Sequence, residues 1–129
     1  MVFPKSLIEL WETLKVCVDA NCAIIMQATK TGLTEGSSPS GFDYDREVVI
    51  INITRIKKII LLDGGEQVTA FPGSTLHELE GELSSIKRAP HSVIGSTTIG
   101  ATIVGGIANN AGGAPVSYTH LRAHETRTY

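Results

Sequence analysis

An α+β fold is predicted by three features of this 129-residue sequence. Two segments carry apolar residues at the spacing of an amphipathic helix. Four short runs of aliphatic and β-branched residues have the length of buried strands. Apolar residues make up 42% of the chain and 13 residues are glycine, so one modest core with close backbone approaches is expected.

Composition and charge exclude several classes of protein. No apolar run approaches the roughly 18 residues that a membrane-spanning helix needs, and the start MVFPKSLIEL lacks the pattern of a signal peptide. The formal net charge is −2, so no basic surface for nucleic acid is expected. The two cysteines, Cys17 and Cys22, are too few for a disulfide scaffold and are expected to be buried and reduced. A soluble, cytosolic chain is therefore expected.

The first segment predicts a helix followed by a buried strand. Ser6 and Glu9 have the spacing of a capping box, in which each side chain bonds a free backbone N–H at the helix start. One apolar stripe follows at helical spacing: Leu7, Leu10, Trp11, Leu14 and Val18. Asn21 is expected to end the helix. Residues 23–26 are expected to form a strand, with a buried helix as the alternative.

The middle of the chain predicts a long loop, a second buried strand and a hairpin. Residues 28–43 read ATKTGLTEGSSPSGFD, and loops of this length are commonly functional or disordered. Residues 48–51 are expected to form the buried strand. Residues 59–62 and 67–70 are expected to form the hairpin, joined by the tight reversal Asp63-Gly64-Gly65.

The last third predicts a second helix and a glycine-rich segment. Thr75 and Glu78 form another capping-box pair. The buried stripe of this helix is expected to be Leu76, Leu79, Leu83 and Ile86. In residues 95–113, GSTTIGATIVGGIANNAGG, a helix that begins near Thr97 or Thr98 would place three isoleucines on one side. Its glycines destabilise a helix relative to alanine, so a close backbone approach to a ligand or another element is expected.

The two glycine-rich segments, residues 28–37 and 95–113, are the candidates for binding chemistry. Neither contains the P-loop pattern G-x-x-x-x-G-K-[ST] or the dinucleotide pattern G-x-G-x-x-G. Small residues still let backbone N–H groups approach phosphate oxygens. Hydroxyl donors in these segments are Thr31, Ser37, Ser96 and Thr102. The alternative is a mobile surface loop and tight packing, and no catalytic residue is assigned.

Residues 116–129, VSYTHLRAHETRTY, differ in character from the rest of the chain. They hold two of the three tyrosines and two of the four histidines, without apolar periodicity. His120 and His124 have the spacing of metal ligands on a helix, but only Glu125 is near enough in sequence to add a third, so no metal site is assigned. The segment is interpreted as a non-native tail from adapter read-through, and residues 1–115 as the domain.

Five motifs, in this order and spacing, resemble those of a known family. They are VFPKSLIELWETLK, MQATKTGLTEGSSPSG, DYDREVVIIN, GEQVTAFPGSTLHELE and PHSVIGSTTIGATIVGGIANNAGG. The family is the flavoproteins of the vanillyl-alcohol-oxidase type, and the likeness is greatest to bacterial quinone-dependent D-lactate dehydrogenases. It covers residues 2–113. The resemblance implies a PCMH-type FAD-binding domain, truncated at both ends, with a small βαβ-like subdomain containing a mixed sheet and the start of a second subdomain.

The resemblance also implies which residues bind FAD. In the family, the loop after the first buried strand wraps the pyrophosphate, and the second glycine-rich segment lines the other side of the cofactor. The first set is Ala28, Thr29, Lys30, Thr31, Gly32, Gly36 and Ser37. The second set is Gly95, Thr102 and Gly112. Lys30 stands where a small or amide residue is common in the family, and Thr102 stands where serine is usual.

By the same resemblance, the intact protein would oxidise a D-2-hydroxy acid, D-lactate to pyruvate, and pass the electrons through FAD to a membrane quinone. It would lie peripherally on the cytoplasmic face of the bacterial inner membrane, attached through regions outside these residues. The chain by itself is expected to be inactive and to fold poorly. One alternative is a glycolate oxidase subunit or an alditol-type oxidase on the same scaffold, and another is a non-enzymatic remnant or binding module.

Overall fold

The structure, a computed structural model, describes residues 1–41, 43–90 and 95–111. Its helices within these ranges are α1 (Leu7–Asp19), α2 (Leu76–Ser85) and α3 (Ile103–Ala108). Its strands are β1 (Ala23–Gln27), β2 (Val48–Asn52), β3 (Ile59–Leu62) and β4 (Gln67–Ala70). No helix in the described ranges is long and apolar enough to cross a membrane. The predicted Gly112 and the predicted tail lie outside the described residues.

The first half of the chain is a βαβ-like unit built on parallel strands. β1 and β2 pair in parallel, with Ala23 opposite Val48 and Gln27 opposite Asn52. Val2 adds a parallel bridge on the other side of β2, because its N–H donates to the Ile50 carbonyl and its carbonyl accepts from the Asn52 N–H, each at 2.8 Å. This half is therefore βαβ-like, as predicted, with α1 crossing over from Val2 to β1 and β2 lying between them.

The start of α1 is capped by one half of the predicted box. Ser6 Oγ accepts a hydrogen bond from the Glu9 N–H at 3.1 Å. The Glu9 carboxylate accepts from the Lys5 N–H at 2.6 Å, not from the Ser6 N–H as predicted. The helix ends where expected, since Asn21 adopts a left-handed φ of 53°.

The apolar stripe predicted for α1 is shielded from solvent only in part, since its members Leu10 and Leu14 are half-buried. Cys17 is buried and Leu14 is half-buried, whereas Leu7, Trp11 and Val18 are 49%, 64% and 66% exposed. Leu10, Leu14 and Cys17 follow one another at helical spacing, so the shielded flank is rotated away from Leu7, Trp11 and Val18. The flank that carries Trp11 therefore remains open to solvent.

The second half packs α2 and α3 on an antiparallel hairpin. β3 and β4 pair with Ile59 opposite Ala70 and Leu61 opposite Val68. These four side chains contact the core formed by Leu79, Leu83 and Ile103. α2 begins with the complete capping box predicted for Thr75 and Glu78. Ile86, expected in the buried stripe, is 42% exposed because it follows the last turn of α2.

The helix predicted to begin near Thr97 or Thr98 begins later. Gly95–Ile99 forms a 3₁₀ turn, and α3 starts at Ile103 after the N-cap residue Thr102. Gly100 separates the two with a φ of 94°, a left-handed conformation that an α-helix does not contain. The three isoleucines therefore share no buried side: Ile103 is 9% exposed, whereas Ile99 and Ile107 are 69% and 68% exposed.

Gly73 joins the two halves of the chain. A Cβ at this position would lie 2.6, 2.8 and 2.9 Å from the carbonyl oxygens of Ile53, Thr54 and Ile56. The Gly73 N–H also donates to the Ile56 carbonyl at 2.9 Å. The turn after β2 therefore packs directly on the backbone before α2, and only glycine fits this contact.

We predict that Gly73→Ala destabilises the chain by about 2 kcal/mol, because the new methyl group overlaps backbone oxygens that cannot rotate away. Gly81→Ala is the matched control, since a Cβ at Gly81 meets nothing within 4 Å. Alanine inside α2 should stabilise the chain by up to about 1 kcal/mol. Urea unfolding followed by circular dichroism measures both. A Gly73→Ala variant as stable as the unmodified chain would contradict the steric argument.

Candidate phosphate-binding loop and its anchor

Two buried amide side chains lie at the carboxyl ends of the parallel strands. Gln27 ends β1 and Asn52 ends β2, and their side chains are opposite each other in the register. They are 4% and 6% exposed. Asn52 Nδ2 donates to Gln27 Oε1 at 2.9 Å. Because the carboxyl ends of parallel strands share one edge of a sheet, this amide pair stands where the predicted binding loop leaves β1.

The amide pair fixes both ends of that loop. Asn52 Nδ2 donates to the Ala28 carbonyl at 3.1 Å, and Gln27 Nε2 donates to the Ser37 carbonyl at 2.8 Å. Within the loop, two further turns close through the Glu35 and Ser38 N–H groups. The structure therefore brings together the first and last members of the predicted pyrophosphate-binding set.

The interior of the loop offers donors and open space. Within the described part of the chain, the backbone N–H groups of Thr29, Lys30 and Thr31 donate no hydrogen bond. Lys30 is exposed and has a left-handed φ of 57°. A Cβ at Gly32 would meet nothing within 4 Å, and one at Gly36 would meet only Thr34 Oγ1, at 4.0 Å. Unpaired amides, a lysine ammonium and an open approach fit the phosphate groups of FAD.

The second predicted set is arranged differently. Thr102 is 3% exposed, and its hydroxyl accepts from the Gly105 N–H at 3.1 Å, so this side chain caps α3. A Cβ at Gly105 would lie 2.7 Å from that hydroxyl oxygen, which explains why the third residue after the N-cap is glycine. Gly95 begins the 3₁₀ turn. The contact of Gly95, Thr102 and Gly112 with the cofactor stays a prediction.

Hydrogen bonds and one close backbone contact connect the amide pair to the second segment. Asn52 Oδ1 accepts from the Thr54 N–H at 3.1 Å and from its hydroxyl at 2.5 Å. The turn that contains Thr54 packs on the backbone before Ser74. The Ser74 hydroxyl accepts from the Lys58 N–H and donates to the Lys58 carbonyl, each at 3.0 Å. The Ser74 carbonyl in turn accepts from the Ile103 N–H at 3.0 Å.

The sequence patterns did not identify Gln27, Asn52 and Ser74, the residues that position the two segments. The signal for the first two was present: each is a polar residue that directly follows a run of buried aliphatic residues in a strand. Polar side chains at that place commonly face the loops of a binding site. Ser74 has no such signal, because its partners are backbone groups of Lys58, 16 residues away.

Asp45 is not available as an acid or base near this loop. It is exposed, and its carboxylate accepts from Arg46 Nη2 at 2.7 Å. This hydrogen bond holds the pKa of Asp45 below its ordinary value, so the group stays charged at neutral pH. Arg46 Nη1 also donates to Asn21 Oδ1 at 3.1 Å, which ties the start of β2 to the end of α1.

We predict that Asn52→Ala destabilises the chain by about 2 kcal/mol, because Gln27 Oε1, the Ala28 carbonyl and the Thr54 N–H all lose a buried partner. Asn109→Ala is the control, since Asn109 is exposed and its side chain makes one hydrogen bond. It should change stability by less than about 0.5 kcal/mol. Tryptic cleavage after Lys30 should also become faster in Asn52→Ala alone. Equal cleavage rates in the two variants would show that the amide pair does not hold the loop.

The chain is strongly similar to two curated proteins. The quinone-dependent D-lactate dehydrogenase of Escherichia coli (strain K12) is 59% identical to it over 125 residues, and the protein of the same name from Haemophilus influenzae is 53% identical over 125 residues. Each alignment covers 94% of this chain and 22% of the relative. The resemblance predicted from the five motifs is confirmed. The chain spans about a fifth of the length of these relatives.

A solved structure and a family match agree with this result. An alkyldihydroxyacetonephosphate synthase shares the fold, with a TM-score of 0.72 over 87% of this chain and 20% of that chain, at 21% sequence identity. The expected fold, a PCMH-type FAD-binding domain of the α+β class, is confirmed. The family described as "FAD binding domain" matches residues 1–124. The chain therefore belongs to the FAD binding domain family, and its cofactor is FAD.

Proposed function

We propose that this chain is the FAD-binding part of a flavoenzyme that oxidises D-lactate to pyruvate and passes the electrons to a quinone. The observation that carries the proposal is the 59% identity to the Escherichia coli quinone-dependent D-lactate dehydrogenase across 94% of the chain. Because the chain spans 22% of that relative, the reaction is assigned to the intact protein. The chain itself contributes the cofactor site.

The first loop holds the pyrophosphate of FAD. Its members are Ala28, Thr29, Lys30, Thr31, Gly32, Gly36 and Ser37. The unpaired backbone N–H groups of Thr29, Lys30 and Thr31 supply donors, and the Lys30 ammonium adds a positive charge. Gly32 leaves the approach to these donors open. Gln27 and Asn52 do not contact the cofactor in this proposal; they are positioning residues that hold the two ends of the loop.

The second segment lines the other side of FAD through Gly95, Thr102 and Gly112. Since the Thr102 hydroxyl accepts from the Gly105 N–H, its contribution to the site is the fixed start of α3. FAD supplies the acceptor for the hydride equivalent removed from the hydroxy acid. The residues of this chain bind that cofactor and orient it, and none of them is assigned to the proton transfer.

The partners of the intact protein are a D-2-hydroxy acid and a quinone, as the names of the curated relatives indicate. Because quinones are held in membranes, we place the intact protein at the cytoplasmic face of the bacterial inner membrane. Regions outside residues 1–129 would make that peripheral association.

The boundary at residue 115 is part of the proposal. The change in composition after Pro115 supports it, although the family match continues to residue 124. Re-reading the source DNA across these codons tests it. A reading frame that leaves the present sequence near Pro115 and continues with other residues supports a non-native tail. A frame that reproduces VSYTHLRAHETRTY overturns it.

We predict that the chain binds FAD and that Gly32→Glu weakens this binding at least about tenfold, because a carboxylate beside the loop repels the pyrophosphate. Quenching of flavin fluorescence measures the affinity. ADP, which carries a pyrophosphate, should compete with FAD, whereas riboflavin, which has no phosphate, should not.

Gly81→Glu is the matched control for this experiment. It adds the same charge at a second glycine whose Cβ meets nothing within 4 Å, on α2 and outside the loop. FAD should bind to it as it binds to the unmodified chain. Equal affinity of the Gly32→Glu and Gly81→Glu variants, or no FAD binding by the unmodified chain, would contradict the assignment.

We predict that the complete reading frame recovered from the source DNA encodes a protein that oxidises D-lactate in the presence of a soluble quinone analogue. L-lactate should be oxidised far more slowly. Glycolate is tested as well, because it distinguishes a D-lactate dehydrogenase from the alternative, a glycolate oxidase. Pyruvate formation and quinone reduction are followed together. A complete protein that holds FAD and oxidises glycolate in preference to D-lactate would refute the proposed substrate while leaving the cofactor site intact.

A further inference from the structure

The end of α1 brings the two cysteines of the chain together. The Asn21 N–H donates to the Val18 carbonyl at 2.9 Å, and the Cys22 N–H donates to the Cys17 carbonyl at 2.9 Å. Together with the left-handed φ of Asn21, these bonds form a Schellman motif. In this kind of helix ending, the side chains at the positions of Cys17 and Cys22 commonly contact each other. The chain contains no other cysteine.

The hydrogen bond between the two cysteine backbones limits their separation. A carbonyl oxygen lies about 2.4 Å from its own Cα, and an amide nitrogen lies about 1.5 Å from its own Cα. With an N–O distance of 2.9 Å, the Cα atoms of Cys17 and Cys22 are therefore no more than about 6.8 Å apart. Disulfides span Cα distances of about 4.4–6.8 Å. The separation of the two Cα atoms is therefore within the upper limit for a disulfide.

The two thiols differ in exposure and are both free. Cys17 is 5% exposed on the buried flank of α1. Cys22 is half-buried, so the expectation that both cysteines are buried is wrong for this residue. Its thiol donates a weak hydrogen bond to the Ala20 carbonyl, with Sγ and oxygen 3.9 Å apart. This contact directs the Cys22 side chain back over the turn, toward the end of the helix. Cys22 is therefore the thiol that reagents reach first.

We propose that Cys17 and Cys22 form a reversible thiol–disulfide site that reacts with low-molecular-weight disulfides. The Cys22 thiolate attacks one sulfur of the reagent, forms a mixed disulfide and releases one thiolate. The Cys17 thiolate then attacks Cys22 Sγ, closes the Cys17–Cys22 bridge and releases the second thiolate. The two cysteines together lose two protons and two electrons, and the reagent is reduced to two thiols. The bridge ties the end of α1 to the start of β1.

Oxidised and reduced glutathione, mixed in known ratios with the 129-residue chain, test this site. The oxidised chain should be about 2 Da lighter and carry no glutathione, since both halves of the oxidised glutathione leave as thiols in the exchange. Trypsin should release residues 16–30, which contain both cysteines, as one internally bridged peptide. The equilibrium gives the effective concentration of one thiol at the other. This effective concentration should be at least about tenfold higher in buffer than in concentrated urea, because the folded end of α1 holds the two cysteines close together.

Single variants provide the controls. Cys17→Ala should retain one glutathione on Cys22, because no second thiol displaces it. Cys22→Ala should remain unmodified in buffer, because Cys17 is buried. Three results would overturn the proposal: an effective concentration in buffer no higher than in urea, a glutathione adduct that persists on Cys22 of the unmodified chain, or a disulfide that joins two chains.

Discussion

The packing of Gly73 on the turn after β2 is the constraint on which the arrangement of the two halves depends. Three carbonyl oxygens, from Ile53, Thr54 and Ile56, converge on the face of Gly73 where any other residue would carry a side chain. The turn continues directly from Asn52, and Gly73 leads directly to Ser74. This backbone contact therefore joins the parallel strands to the hairpin and its helices, and it lies next to Asn52 and Ser74, two of the residues that position the predicted binding segments.

Polar side chains on either side of this contact connect it, through hydrogen bonds, to the two predicted binding segments. Asn52 reaches the first loop through Gln27 and the Ala28 carbonyl. Ser74 reaches the second segment through the Ile103 N–H. Every buried side-chain nitrogen or oxygen among the described residues has a hydrogen-bond partner. Since leaving one unpaired costs about 1–3 kcal/mol, the network favours one arrangement of both segments.

Most elements could be predicted because their signals are local. The strands β1 to β4, the capping box of α2 and the end of α1 at Asn21 depend on residues a few positions apart. The exposed flank of α1 around Trp11 could not be predicted, because helical spacing does not say which side meets a sheet. The late start of α3 depends on the φ of Gly100, which glycine permits but does not require. The anchoring role of Gln27 and Asn52 could be predicted only with the knowledge that β1 and β2 are parallel neighbours.

The chemistry of the first loop is suited to binding a phosphate group, but it does not select the substrate. Backbone N–H groups and the Lys30 ammonium recognise negative charge, which all phosphate esters share. In the proposed site such donors would hold the pyrophosphate of FAD, and they do not distinguish one hydroxy acid from another. The fold that positions them is shared with a synthase at 21% identity, so the fold alone carries no information about the substrate. The substrate assignment therefore depends on the high identity to the curated dehydrogenases, and the cofactor assignment depends on the family match.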